Sequence, residues 1–181
     1  MKKIVFTLLL IAGIISVQAQ TDQGDWMVGG GFRLNTGENS TTIGFTPNAA
    51  AFIIRNLAVG GNFGIDYSKL GNNKSTDFRI GPFVRYYFTQ ANVRPIVQGS
   101  FNYINRQQKN TQSNTSNTEK GINYFLGAGA AIFLNEQVSL DAVMGYHHTK
   151  LKDFDGDGGF AFTIGFQVYL LKKQVEKIRG K

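Results

Sequence analysis

One stretch near the end of the chain has the residue types of a calcium loop. In "DFDGDGG", Asp153, Asp155 and Asp157 alternate with other residues and Gly158 follows, as in the first half of such a loop. The twelfth position, which requires a bidentate carboxylate, falls on Ile164. The pattern therefore favours an acidic turn between two strands over a calcium site, and we expect no metal and no cofactor.

Two adjacent histidines, His147 and His148, are the other candidates for chemistry. A histidine in a hydrolase or acyltransferase activates a serine and is itself oriented by an acid. The residues around this pair alternate between apolar and polar, which places His148 on the apolar side, beside Thr149. No serine is placed to pair with it, so we expect no catalytic residue here.

Seven charged residues recur at positions where the neighbours on either side are mostly apolar. Four are arginines and three are aspartates, so their charges nearly cancel. Such a balance is expected inside a closed space, because an unpaired charge away from water is costly. The set consists of Arg33, Asp66, Asp77, Arg79, Arg85, Arg94 and Asp141. We predict that these residues form a lumen charge network, in which charged side chains fill the interior. Asp66 is expected beside Arg79, and Arg85 is expected to pair with Asp141.

The elements that position these charges are strands. In "DFRIGPFVRYYF", residues 77–88, one alternate set is wholly apolar and the other carries the charges. Eight such stretches, each of about 10–13 residues, follow one another along the chain. Strands of soluble proteins average roughly 5–6 residues, whereas a tilted membrane-spanning strand needs about 9–11.

The connections alternate between short turns and longer loops. Only "IRN", "TQAN" and "NEQ" separate strands 2 and 3, 4 and 5, and 6 and 7, whereas the other loops are longer. The longest loop, residues 105–120, is polar and of low complexity, and we expect it to be mobile and exposed. Short turns on one side and long loops on the other are typical of outer-membrane barrels. We predict an all-β fold, an eight-stranded antiparallel transmembrane β-barrel with up-and-down meander topology over residues 24–170.

The apolar face is predicted to contact lipid. Its large side chains are too many for the interior of an eight-stranded barrel, whereas the opposite face is rich in glycine. Aromatic residues on the apolar face group near the two strand ends, as in the girdles of membrane barrels. The groups are Tyr67, Tyr103, Tyr124 and Tyr146 near the long loops, and Trp26, Tyr86 and Phe88 near the short turns.

The two ends of the chain differ from its body. Residues 1–19 have the basic start, apolar core and small-residue cleavage site of a secretory signal peptide. Residues 171–181 hold five basic residues and one acid, and form a predicted basic periplasmic tail. The body between them has 12 basic and 11 acidic residues, so the net charge of +7 does not indicate nucleic-acid binding. Cysteine is absent from the sequence.

Three stretches carry a resemblance to a known family. They are "IGPFVRYYF", "FLNEQVSLD" and the last strand, in which Thr163, Gly165, Val168 and Leu170 match a terminal assembly signal. The chain resembles the small OmpA/OmpX-like barrel domain of the outer-membrane β-barrel family of Gram-negative bacteria. The resemblance implies a location in the outer membrane, with outer-membrane lipid and the barrel-assembly machinery as partners.

The expected function is not enzymatic. We expect the barrel to contribute to envelope structure, or to surface interaction through external loops whose ligand the sequence does not name. Because some small outer-membrane barrels resemble lipid A deacylases or acyltransferases, a lipid-modifying enzyme that uses His147 or His148 is an alternative. A soluble periplasmic ligand-binding barrel is a second alternative.

Overall fold

The protein is a closed β-barrel in the computed structural model, which describes residues 21–36, 40–70, 73–110, 115–152 and 156–178. Eight antiparallel strands pair in sequence order, and the first pairs with the last. The strands are β1 (Trp26–Thr36), β2 (Ser40–Ile54), β3 (Leu57–Leu70), β4 (Asn73–Tyr87), β5 (Val93–Asn110), β6 (Thr115–Asn135), β7 (Val138–Leu151) and β8 (Asp157–Leu170). A helix, α1 (Lys172–Ile178), follows β8. The predicted fold class is confirmed.

The barrel closes where β1 pairs with β8. The register runs from Trp26 opposite Leu170 to Arg33 opposite Thr163. Closure gives every strand two neighbours, so backbone N–H and C=O groups have partners within the wall. No helix within the described part of the chain is long and apolar enough to cross a membrane.

The wall separates an apolar exterior from a filled interior. On β4, Ile80 and Val84 are exposed, whereas the alternating Phe83, Arg85 and Tyr87 are buried. The same alternation recurs around the barrel, and exposed aromatic and aliphatic side chains cover its outside. The exposed apolar face is the one predicted from the sequence to contact lipid.

The predicted loop at residues 105–120 was wrong for most of its length. Residues 105–110 belong to β5 and residues 115–120 to β6, and they pair in register from Asn105 opposite Lys120 to Asn110 opposite Thr115. Both faces of this hairpin are polar, so the alternation that reveals a strand is missing although the backbone ladder continues. At about 3.4 Å per residue, six residues extend β6 roughly 20 Å beyond its last pairing with β7, Gly121 opposite Leu151.

The basic tail begins with the helix α1, which is tied to the start of the barrel. The backbone N–H of Lys172 donates to Oδ1 of Asp25 at 2.9 Å, and Gln174 accepts at 3.0 Å from the N–H of Leu171. The predicted signal peptide at residues 1–19 and the last three residues of the tail lie outside the described residues.

The exposed face of β4 generates a first prediction. Val84→Arg should lower the yield of folded barrel in lipid vesicles, because a charge in the apolar band costs about 2–4 kcal/mol. Val84→Leu, which keeps the position apolar, should fold like the parent. The measurement is the fraction of heat-modifiable, protease-resistant barrel after refolding. Equal yields of Val84→Arg and parent would contradict the assignment of this face to lipid.

Candidate functional site: the charged lumen

The most deeply buried ion pair among the described residues joins two strands that face each other across the lumen. Arg85 on β4 and Asp141 on β7 are buried, and Nη1 of Arg85 donates to Oδ2 of Asp141 at 2.5 Å. The other carboxylate oxygen accepts from Ser139 at 2.7 Å, and Nε of Arg85 donates to Gln98 at 3.0 Å. Each of the two charged groups therefore has a further hydrogen bond besides their mutual contact. A buried ion pair needs such bonds to offset the free-energy cost of its desolvation.

Below this pair, toward the short turns, the interior is mainly aromatic. The hydroxyl groups of Tyr87 and Tyr169 lie 2.8 Å apart, and Tyr169 packs on Phe133 with ring centroids 4.9 Å apart. Met27, Phe52 and Ile96 complete this cluster, and all are almost fully buried. The filling is therefore ionic in one part of the lumen and aromatic in another, because most lumen-facing positions near the short turns are large and apolar.

Hydrogen bonds join the aromatic cluster to the ion pair. Nη1 of Arg85 donates to the Tyr87 hydroxyl at 3.3 Å, and Ser139 lies 3.1 Å from the Tyr169 hydroxyl. The two tyrosines therefore use their rings for packing and their hydroxyl groups for the polar layer above.

A second group of charges lies toward the long loops. Asp66 contacts two arginines, Arg79 of the adjacent strand and Arg33 two strands away, the latter at 3.9 Å between Nη1 and Oδ1. Gly44 lies between Arg33 and Asp66 in the register. An added Cβ at Gly44 would collide with the Asp66 carboxylate, so the glycine makes room for a contact across an intervening strand.

Asp77 pairs with an arginine that the sequence analysis missed. Nε and Nη2 of Arg106 donate to its two carboxylate oxygens at 2.8 and 2.7 Å. Arg106 was assigned to the loop at residues 105–120. It shares the parity of Arg94, Gln98 and Asn102 on β5, and this alternation, carried four residues further, would have placed it inside the barrel.

Arg94 lies at the other end of the lumen from Asp66 and Asp77. Its side chain is fully buried, stacks over Phe133 at 4.2 Å and donates to the carbonyl oxygen of Ala91 at 3.0 Å. It also donates to Oγ1 of Thr21 at 3.0 Å, which fixes the segment before β1 against the barrel.

Between the two charged groups lies a cavity of about 60 Å³. Its lining is mixed, with Phe83 and Phe125 beside polar side chains, and by volume it has room for about four water molecules. Its lining includes Arg33, Arg79, Arg85 and Asp141, together with neutral amide side chains such as Asn48.

The two histidines lie apart from this cavity and have different surroundings. The His148 ring stacks on Tyr124 with centroids 5.2 Å apart, and its backbone carbonyl accepts from Asn123. Among the described residues, neither imidazole hydrogen-bonds a serine. Asp153 and Asp155 lie outside the described residues, and Asp157 is exposed at the start of β8.

The residues of the predicted assembly signal lie on β8 along the closing seam. Val168 and Leu170 are opposite Val28 and Trp26, and Gly165 is opposite Gly31. Thr163, the fourth of them, is opposite Arg33 and lines the cavity.

A closed meander of eight long strands, apolar outside and filled inside, defines a transmembrane β-barrel. The model of one family, described as "Outer membrane protein beta-barrel domain", matches residues 5–174. The chain belongs to this family, and its location is the outer membrane. No curated protein matches the chain in sequence.

Solved structures share the fold. Neisserial surface protein A (NspA) is 18% identical, with 81% of this chain and 97% of that chain covered and a TM-score of 0.56. The N-terminal β-barrel domain of Pseudomonas aeruginosa OprF is 13% identical, covering 82% and 98%, with a TM-score of 0.53. Ail, the attachment invasion locus protein of Yersinia pestis, is 12% identical, covering 82% and 99%, with a TM-score of 0.53. At these identities the likeness concerns the fold alone.

The ion pair across the lumen generates a second prediction. Asp141→Asn should lower the free energy of unfolding by about 3–5 kcal/mol, because it leaves Arg85 buried without its carboxylate. Adding Arg85→Met should restore part of the loss. The measurement is urea unfolding in lipid vesicles, followed by the fluorescence of Trp26, the single tryptophan of the chain.

The matched control is Asp157→Asn, which removes an exposed carboxylate and should change stability by no more than about 0.5 kcal/mol. Strictly additive effects of the Asp141 and Arg85 substitutions would show that the two side chains do not interact energetically.

Proposed function

We propose that the protein is a non-enzymatic outer-membrane barrel that contributes to the envelope and engages extended polypeptides at the cell surface. The observation that supports this most directly is the tall hairpin of β5 and β6, which we assign to the external side because it lies opposite the short turns. Within the described residues, one edge of this hairpin has no neighbouring strand.

The free edge can be assigned to particular backbone groups. The carbonyl oxygen of Lys120 accepts from the N–H of Lys152, so the backbone polar groups of Lys120 point toward β7. Residues two apart in a strand have the same orientation, so the N–H and C=O of Thr118 and Ser116 point the same way. The last β6–β7 register pair is Gly121 opposite Leu151, which leaves these groups beyond the ladder in the part described.

An edge of this kind binds by adding a strand. An extended peptide forms main-chain hydrogen bonds to the free groups, and side chains on alternate positions give specificity. Lys120, exposed at the base of the free edge, would limit uncontrolled pairing between copies because like charges repel. Two proteins of the same fold are named a surface protein and an attachment invasion locus protein, which is consistent with a role at the surface.

The last strand supports a proposal about assembly. Thr163, Gly165, Val168 and Leu170 lie on the strand that closes the barrel, and we infer that the barrel-assembly machinery reads them before β8 pairs with β1. Outer-membrane lipid is the other expected partner, through the exposed apolar face.

The surface role is tested by panning a displayed library of peptides against the barrel in nanodiscs. Recovered peptides should bind the parent and Thr118→Ala equally, and should bind Thr118→Pro at least tenfold more weakly, because proline removes a donor of the free edge. Peptides that bind Thr118→Pro as well as the parent, or a failure to recover any peptide, would contradict the proposal.

The absence of enzymatic activity is tested separately. Lipids extracted from cells with and without the protein should give the same mass spectrum. Loss or gain of an acyl chain that depends on the protein, and that disappears in His148→Ala or His147→Ala, would establish the lipid-modifying alternative instead.

A further inference from the structure

Two arginines, the half-buried Arg33 and the buried Arg79, share one carboxylate in the upper lumen. The side chains of Arg33 and Arg79 are 15% and 7% exposed, and both contact Asp66. Together these three groups carry a net charge of +1. A surplus charge in a lumen enclosed by lipid is costly, and an anion would offset it.

Neighbouring acids are engaged elsewhere. Asp77 receives two hydrogen bonds from Arg106, and Glu119 lies opposite Arg106 in the register of β5 and β6. Below the cavity, the charge of Arg85 is matched by Asp141. Over this end of the lumen the acids Asp66, Asp77 and Glu119 balance Arg33, Arg79 and Arg106, so the positive excess is a local one at Arg33 and Arg79, which share a single carboxylate.

The same two arginines retain unused donors. The Nε atoms of Arg33 and Arg79 are buried and have no hydrogen-bond partner among the described residues. Both side chains line the cavity of about 60 Å³, which has room for one tetrahedral oxyanion. A guanidinium group suits such an anion because its planar fork of N–H donors matches phosphate oxygens.

We propose that the cavity binds one phosphate group between Arg33 and Arg79. Asp66 holds the two guanidinium groups in place, and the absence of a side chain at Gly44 leaves the space in which Arg33 reaches Asp66. Asn48 and Asn62, whose side chains line the same cavity, supply neutral polar contacts.

The phosphate has two possible sources, and the wall offers a route for each. Free phosphate would enter from the long-loop end of the lumen. A lipid headgroup would enter through the seam, where the pairing of β1 with β8 stops at Arg33 opposite Thr163, although β1 continues to Thr36 and β8 begins at Asp157. Outside this point, Phe32 and Ile164 are exposed and would contact the acyl chains.

The test uses the full barrel in phosphatidylcholine nanodiscs, with inorganic phosphate as the first probe. The thermal midpoint of the parent should rise with phosphate concentration at constant ionic strength. Arg33→Gln should weaken the apparent affinity at least tenfold, and Arg33→Lys should lie between the two. Lys74→Gln, which removes an exposed charge from the same end of the barrel, should behave like the parent.

A second arm replaces a small fraction of the phosphatidylcholine with phosphatidic acid, whose headgroup is a phosphate monoester. Stabilisation by phosphatidic acid without an effect of free phosphate would assign the site to a lipid headgroup, and the reverse would assign it to a soluble anion. If Arg33→Gln does not fold, broadening of the phosphorus NMR signal by the parent, competed by sulfate, replaces the comparison. No effect in either arm and no broadening, or an equal loss in Lys74→Gln, would overturn the proposal.

Discussion

Closure of the β-ladder is the constraint on which the rest of the molecule depends. A strand in hydrocarbon has no water to satisfy its backbone, so an open edge would cost several kcal/mol for each unpaired group. Pairing of β1 with β8 removes that edge along the rows from Trp26 to Arg33. Once eight strands have closed, the interior is only wide enough for side chains, and their packing must be solved within it. The two layers of the lumen are that solution.

The two layers divide the work of filling the lumen by chemistry. Large apolar side chains lie near the short turns, where Tyr169 packs with Phe133 and Tyr87. Charges lie above them, and the Arg85–Asp141 pair connects the layers through tyrosine hydroxyl groups. A buried ion pair contributes little stability by itself, but this one joins walls that face each other across the lumen.

The sequence predicted the barrel because the membrane imposes a strict period of two on every strand that crosses it. Where the strands leave the membrane that period disappears. The sequence therefore predicts a loop at residues 105–110 and 115–120, and it does not reveal Arg106 as a residue of the lumen. The pairings of Asp66 with Arg79 and of Arg85 with Asp141 could be proposed from parity and depth along the strands. The contact of Arg33 with Asp66 could not, because it depends on the absence of a side chain at Gly44, on the strand between the two partners. Phe83, Tyr87 and Tyr169 of the aromatic layer lie on the polar face in the sequence pattern. Because the same face carries the charges, the sequence analysis predicted a filling of charged side chains.

The segments that flank the barrel lie side by side. Asp25, just before β1, accepts a hydrogen bond from the backbone of Lys172, just after β8, and Thr21 contacts both Asn56 and Arg94. The segment before β1 and the segment after β8 are thus within hydrogen-bonding distance of each other. Circular permutation is therefore compatible with this architecture: a short linker between these segments would preserve the seam as an ordinary hairpin, and the chain could begin at the turn between β6 and β7 without changing the neighbours of any strand.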